Sequence, residues 1–321
     1  MIQIARLLAL ALALAAGAGA ASAQPYPSKA VTIVVPYAPG GVTDVVARLF
    51  AQKLSVRMGQ PFIVENKSGA GGTIGTDYVA RAAPNGYTLV MMIDTNTIAP
   101  ALYAKVGSDP IKDFAPITML AIGPHIIVAH PSFVPNTVKE LIEFAKLHPG
   151  EPYASSGNGT AQNLGMEALK LKAGIDLRHV PYKGGGQAIN DVVGGQVKVA
   201  ILGLAPVLPF LKSGQLKAIA LTGDKRSPIL PNLPTVAETV PGFATLQWFA
   251  SLAPAGTPAE IIERLHKEFV QVARDPEVEQ RLVGVGLEVR TSATPADLRH
   301  FMEQDLPKWP PLVKAAGLKI E

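Results

Sequence analysis

The chain has 321 residues, a formal charge of +4 at pH 7, 48% apolar residues and no cysteine. Its Lys and Arg are scattered without a run of five, which excludes the basic footprint of a nucleic-acid or polybasic membrane binder. The lack of thiols excludes disulfides, cysteine nucleophiles, cysteine metal sites and lipid attachment through an N-terminal cysteine.

Residues 1–23 read as a signal peptide. Arg6 precedes an apolar run over 7–16, then small residues and an Ala21-Ser22-Ala23 cleavage site. The run is shorter than the ~20 residues a membrane-spanning helix needs. Removing 23 residues from 321 leaves 298, and the charge becomes +3 because only Arg6 is lost. The mature chain is expected to begin near Gln24 and to be free in the periplasm. Its length allows two lobes with large cores and no disulfides.

Short apolar runs alternate with amphipathic stretches, which predicts an α/β fold of mostly parallel sheets flanked by helices. Val31–Val35 reads as a buried strand. A turn follows, then a helix over 43–58 with Val46, Phe50 and Leu54 at i+4 spacing beside Val45 and Leu49. Gly59 stands at the expected helix stop. A strand over 62–65, a Gly-rich turn, a helix over 73–82 and the strand Thr88–Ile93 come next. Further strands are expected at 126–129, 152–154, 177–180, 197–202 and 216–222, with helices between them. Thr137 and Glu140 form a capping box, and Thr257-Pro-Ala-Glu260 and Thr294-Pro-Ala-Asp297 combine a Thr cap, a Pro and an acid. Asp275-Pro276 opens a short helix between those two. Apolar stretches at 123–130 and 248–254, bounded by Gly or Pro, are the expected crossings between lobes. They divide the chain into lobe 1 (24–124 and 249–321) and lobe 2 (125–248).

Four turns follow predicted strands, where ligands of open α/β sheets bind and helix N-termini favour anions. The first is Tyr37-Ala-Pro-Gly-Gly-Val-Thr-Asp44. Gly41 lets the backbone approach a ligand, Thr43 can cap the helix, and Asp44 lies in its first turn; an ordinary strand-to-helix turn would use the same residues. The second, Ser68-Gly-Ala-Gly-Gly-Thr-Ile-Gly75, lacks the third glycine of a dinucleotide fingerprint because Ile74 stands there, so it reads as a turn and cleft wall. The third, Ser155-Ser-Gly-Asn-Gly-Thr160, gathers the hydroxyls of Ser155, Ser156 and Thr160, the Asn158 amide and the Gly159 N–H at one helix start. Such a set binds a charged oxygen without a cation, though plain capping would need several of the same groups. The fourth carries Tyr182, placed to close over a ligand, and Lys183, which reads chiefly as solvated. Asn96, at another strand end, can donate to a ligand.

None of the six histidines has metal-site spacing, and no cofactor is implied. No G-x-S-x-G elbow is present, and nothing specific supports a Ser-His-Asp triad.

The order of the motifs carries a resemblance. Val34-Val-Pro-Tyr-Ala-Pro-Gly-Gly41 with Asp44, Val64-Glu-Asn-Lys-Ser-Gly-Ala-Gly-Gly72 and Pro84-Asn-Gly-Tyr87 come first. Tyr153-Ala-Ser-Ser-Gly-Asn-Gly-Thr160, His179-Val-Pro-Tyr-Lys-Gly184 and Leu252-Ala-Pro-Ala-Gly-Thr-Pro258 follow. The mature chain thereby resembles, nearly end to end, the extracytoplasmic solute receptors of tripartite tricarboxylate transporters, the Bug proteins. The resemblance implies a two-lobed periplasmic binding protein of type II-like form, joined by two crossings and closing like a hinged clamp. It implies carboxylates held by backbone N–H groups, hydroxyls and water at the first and third turns, and membrane components of a transporter as partners. Where many relatives place an acid after the 197–202 strand, Gly203-Leu204 stands here, which disfavours a ligand ammonium at that point. A monomeric receptor is expected, not an enzyme; a sensor for a membrane kinase and an exported α/β hydrolase are the alternatives.

Overall fold

The structure, a computed structural model, describes residues 26–103, 106–182 and 184–318. The expected signal peptide and Lys183 lie outside the described residues. Among the described residues, no helix is long and apolar enough to cross a membrane.

In the first lobe β1 (Val31–Val35) lies between β2 (Phe62–Asn66) and β3 (Thr88–Ile93) and pairs with both in parallel. Parallel neighbours need crossovers, and α1 (Val42–Met58) and α2 (Thr73–Ala80) supply them. α1 buries Val46, Phe50 and Leu54, the face the i+4 spacing predicts, and leaves Val45 exposed. Gly59 ends α1 in the left-handed conformation, its N–H donating to the Ser55 carbonyl. α3 (Asp94–Leu102) leaves β3 without a connecting loop.

The 16-residue β4 (Phe114–Ala129) serves both lobes. Up to Pro124 it pairs with β9 (Leu246–Pro254). From His125 onward it pairs with β7 (Val199–Gly203) and β8 (Lys217–Leu221). The sequence shows only the end of this strand, because bulges near Pro116 and Met119 break the alternation that marks a strand. Among the described residues, every antiparallel pairing involves β4 or β9.

In the second lobe β5 (Glu151–Ser155) pairs in parallel with β6 (Leu177–Pro181) and β7. Its helices are α4 (Val138–Leu147), α5 (Ala161–Ala173), α6 (Gly185–Val193) and α7 (Leu204–Lys212). Thr137 caps α4, but the Glu140 carboxylate accepts from the Asn136 N–H, one residue before the cap. The chain closes with α8 (Ala259–Ala273), α9 (Pro276–Gly284), β10 (Glu288–Val289), α10 (Pro295–Asp305) and α11 (Trp309–Ala315). Asp275 and Thr294 cap α9 and α10 as their spacing predicts. Thr257 does not cap α8; Pro258 takes that position, and the Thr257 hydroxyl donates to the Pro254 carbonyl.

Separate cores fill the lobes. Phe50 stacks on Phe269 of α8 at 5.9 Å in the first. Tyr153, Met166 and Phe243 cover one face of the second lobe's sheet, and Leu202 and Val207 the other. A smaller cluster joins the lobes: Ile98 and Leu102 of α3 meet Ala161 and Leu164 of α5, with Trp309 and Val313 of α11 over both. Each buried aliphatic side chain there contributes roughly 1.5–3 kcal/mol.

Candidate ligand cleft

The first-lobe turn is organised by one carboxylate. Asp44 Oδ2 accepts from the Gly40 N–H at 3.0 Å and from Arg48 Nε at 2.9 Å. Its Oδ1 accepts from Asn66 Nδ2 at 2.9 Å, and the same amide donates to the Tyr37 carbonyl. Burial alone would raise the Asp44 pKa, but the bonds from Arg48, Gly40 and Asn66 outweigh it and hold the group below its ordinary value. Asp44 therefore stands beneath the turn with its oxygens engaged by the protein. The N-cap is Gly41, with no side-chain cap, so Thr43 is buried inside the first turn of α1 and does not cap it as expected. The helix starts one residue early, at Val42, and Asp44 in its first turn fixes the preceding turn by accepting from the Gly40 N–H. The early N–H groups of a helix have no intrahelical partner and remain available to an anion.

Tyr37 points toward α3. Its hydroxyl donates to Asn96 Oδ1 at 3.2 Å, and Asn96 Oδ1 also accepts from the Ile93 N–H. Asn96 is thus in the first turn of a helix, where the sequence suggested only a turn. Desolvation, then the nearby Asp94, push the Tyr37 pKa well up, so the phenol stays protonated. Gly72 backs this pair at φ 98°: a Cβ there would lie 2.9 Å from the Tyr37 hydroxyl and 3.0 Å from Asn96 Nδ2. The second glycine turn is therefore packed against Tyr37 and Asn96.

The second-lobe turn is organised by neutral groups. Ser155 is buried, and its Oγ shares a 2.7 Å hydrogen bond with His179 Nε2. The Gly157 N–H donates to the same Oγ. Burial pushes His179 down to about 4, so its ring is neutral near neutral pH. The ring stacks on Tyr153, whose hydroxyl donates to Glu167 Oε1. Thr160 caps α5 by accepting from the Asn163 N–H, and its own hydroxyl donates to the Gly157 carbonyl. Asn163 Oδ1 accepts from the Gly159 N–H at 3.1 Å. Ser156 and Thr160 are half-buried, and Asn158 is exposed. Tyr182 is held away from free closure, because its hydroxyl donates to Asp191 Oδ2 at 2.6 Å. Burial, then that hydrogen bond, push its pKa up to about 12.

α3 connects the two turns. Asn96, in its first turn, meets Tyr37, and Leu102, at its end, packs so close to Gly159 that a Cβ there would come within 2.6 Å. Six residues of helix separate these contacts by about 9 Å, within the span of a small dicarboxylate with its partners. A further recess of about 360 Å³, lined by Lys172, Phe243, Thr245, Trp248, Phe301 and Trp309, contains none of the predicted residues.

The family model for the tripartite tricarboxylate transporter family receptor matches residues 46–318. The chain belongs to this receptor family. Protein BugT of Bordetella pertussis is 34% identical over 300 residues, covering 92% of this chain and 92% of BugT. The solved structure of R. palustris Rpa4515 with adipate has a TM-score of 0.80 at 34% identity, covering 92% of this chain and 99% of that one. MatC from Rhodopseudomonas palustris with bound malate gives 0.76 at 32% identity, covering 90% and 100%. The receptor has the fold of a two-lobed periplasmic binding protein.

Sequence reasoning passed over three groups of this receptor that stand at the turns. His179 props Ser155, a link that 24 residues of separation hide. Asp94, the first residue of α3, and His125, inside β4 where it changes partner, are buried at 2% and 1% exposure. His125 is in register with Gly203, the first residue after the 197–202 run. The signal for all three was a titratable residue next to an apolar strand.

Proposed function

We propose that this receptor captures a small carboxylate — a dicarboxylate, a tricarboxylate or an aromatic acid — between its lobes and delivers it to the membrane components of a tripartite transporter. The observation that carries this reading is that Tyr37 of the first-lobe turn and Gly159 of the second-lobe turn both lie against the same helix α3. The adipate of Rpa4515 and the malate of MatC support the ligand class. Tyr37, Gly41, Thr43 and Asn96 face the ligand from lobe 1, and Ser156, Asn158 and Thr160 from lobe 2, while Gly159, whose N–H donates to Asn163 and not to a ligand as the sequence suggests, shapes the turn. Asp44 and Ser155 hold the turns in shape, and Tyr182 forms a tethered wall. Micromolar capture needs about −8 kcal/mol. About five charge-assisted hydrogen bonds near the upper part of the roughly 1.5–3 kcal/mol range exceed that, with the surplus offset by ordering.

The proposed lobes are 24–124 with 249–321, and 125–248. Pairing of Leu246–Trp248 with Ile122–Pro124 favours counting those three residues with lobe 1. The protein is proposed to act in the periplasm after loss of its signal peptide, as a monomer and without chemistry on its ligand. The Ser155–His179 contact is the one feature that favours a hydrolase. Against it, Ser155 is fully buried, and Glu167 beside His179 is occupied by Tyr153 and Lys170. A nucleophile needs access and a base oriented by a third group.

Calorimetry of ligand-stripped, refolded protein against mono-, di- and tricarboxylates and aromatic acids tests the reading. One-to-one binding of one class, with the recovered ligand unchanged, is expected. Silence across the panel, or turnover of ester substrates that Ser155→Ala abolishes, would reject it.

A further inference from the structure

Four buried polar atoms gather where the lobes meet, and none has a hydrogen-bond partner among the described residues: Asp94 Oδ2, Asn96 Nδ2, His125 Nδ1 and His125 Nε2. Their side chains come from both lobes. Asp94 and Asn96 open α3 at the end of β3, and His125 begins the second-lobe part of β4. Asp94 Oδ2 lies 4.0 Å from His125 Nε2, too far for a hydrogen bond between them. The remaining atoms of the group are fixed. Asp94 Oδ1 accepts from the Thr95 N–H at 2.7 Å, and Asn96 Oδ1 is held by Ile93 and Tyr37. The His125 backbone is pinned, its N–H donating to Thr222 Oγ1 at 2.9 Å. A rigid frame thus holds the four polar atoms, with Asn96 bonded to Tyr37 of the proposed cleft, Asp94 near that phenol and His125 beyond Asp94. Leaving such atoms without a partner costs roughly 1–3 kcal/mol each. Beside a ligand cleft, the ligand itself is the natural partner.

The chemistry of the four atoms selects that partner. Asn96 Nδ2 only donates. Neutral His125 offers one N–H and one lone pair, and Asp94 accepts when ionised and can donate when protonated. Burial lowers His125 to about 4 and raises Asp94 to about 7, so both lose charge readily. A ligand carboxylate, which only accepts, would face the lone pairs of Asp94 and His125. A ligand ammonium, which only donates, would face Asn96 Nδ2 and the imidazole N–H. A hydroxyl both donates and accepts, and it is small enough for a fully buried corner. The geometry points to Asp94, Asn96 and His125 as a hydroxyl-reading corner of the cleft, so that the receptor prefers hydroxylated carboxylates over their deoxy counterparts. This rests on the carboxylate reading above and goes beyond it by naming the second functional group of the ligand.

The test is calorimetry at pH 7.5 on matched pairs: malate against succinate, 2-hydroxyglutarate against glutarate, and 4-hydroxybenzoate against benzoate. Sites built to bond a hydroxyl discriminate steeply against analogues lacking it. The expected result is at least tenfold tighter binding of the hydroxylated member of the pair that fits. Asp94→Asn and His125→Phe should each narrow that gap to under threefold. The near-isosteric Asp94→Asn is read alone if His125→Phe fails to fold, as thermal unfolding would report. Equal affinity within each pair, or a gap that survives the substitution, overturns the inference while leaving carboxylate capture intact. No binding by any of the six compounds removes both.

Discussion

The 37–44 and 155–160 turns present the same kind of surface, a helix start rich in N–H groups, by opposite chemistry. In the first, a buried carboxylate gathers Gly40, Arg48 and Asn66. In the second, a serine hydroxyl, a neutral imidazole and a threonine cap take that role. A charge-organised turn depends on one residue, whereas a turn organised by neutral hydrogen bonds spreads the dependence over several. Bonds to a charged group are worth about twice neutral ones, so loss of the central residue should hurt the first turn more.

Asp44→Ala sharpens that contrast most. It strips three hydrogen bonds from a buried charge and should cost about 3–4 kcal/mol in denaturant unfolding. Carboxylate affinity should fall more than tenfold. The acid limb should also change. The lowered pKa of Asp44 means that its contribution is present above the unfolded value and lost as pH falls through the folded one. The variant should therefore lose less stability on acidification than the parent.

Gly72→Ala attacks the wall between the turns. Its φ of 98° and the 2.9 Å approach to Tyr37 predict a loss of about 3 kcal/mol, read as a lowered melting temperature. Carboxylate binding should weaken with it, because Tyr37 and Asn96 must move.

Asp94→Asn should do the reverse at high pH. Asp94 has a folded pKa raised to about 7 from 3.8, so its cost is absent at acid pH and grows as pH rises to 7. Between pH 4 and pH 8 the stability of the variant relative to the parent should rise by roughly 3–4 kcal/mol, the cost of the buried amide being the same at both values. Urea unfolding at the two values reads the difference. Thr160→Ala is the smallest change. Loss of a helix cap should cost about 1 kcal/mol of stability with a modest drop in affinity.

Much of the fold was legible because its signals are local. Val46, Phe50 and Leu54 recur at helical spacing, Gly59 supplies the left-handed stop, and Thr294 and Asp297 form their box within four residues. The long β4 was not legible, since its bulges and the change of partner at His125 depend on strands 70 to 140 residues away. The turns were found for the same local reason. Their internal logic was hidden, because Asp44 reads as an exposed first-turn acid until Asn66 and the Gly40 N–H are folded onto it. Tyr182 reads as a mobile lid until Asp191 tethers it.

Hydrogen exchange of the Gly41–Thr43 amides and of the Asn158 and Thr160 amides, followed with and without a bound carboxylate, tests most directly whether one ligand is shared by both lobes. The account predicts that both sets slow together at the same ligand concentration. Protection confined to one turn, or to neither, while binding is saturated would contradict it.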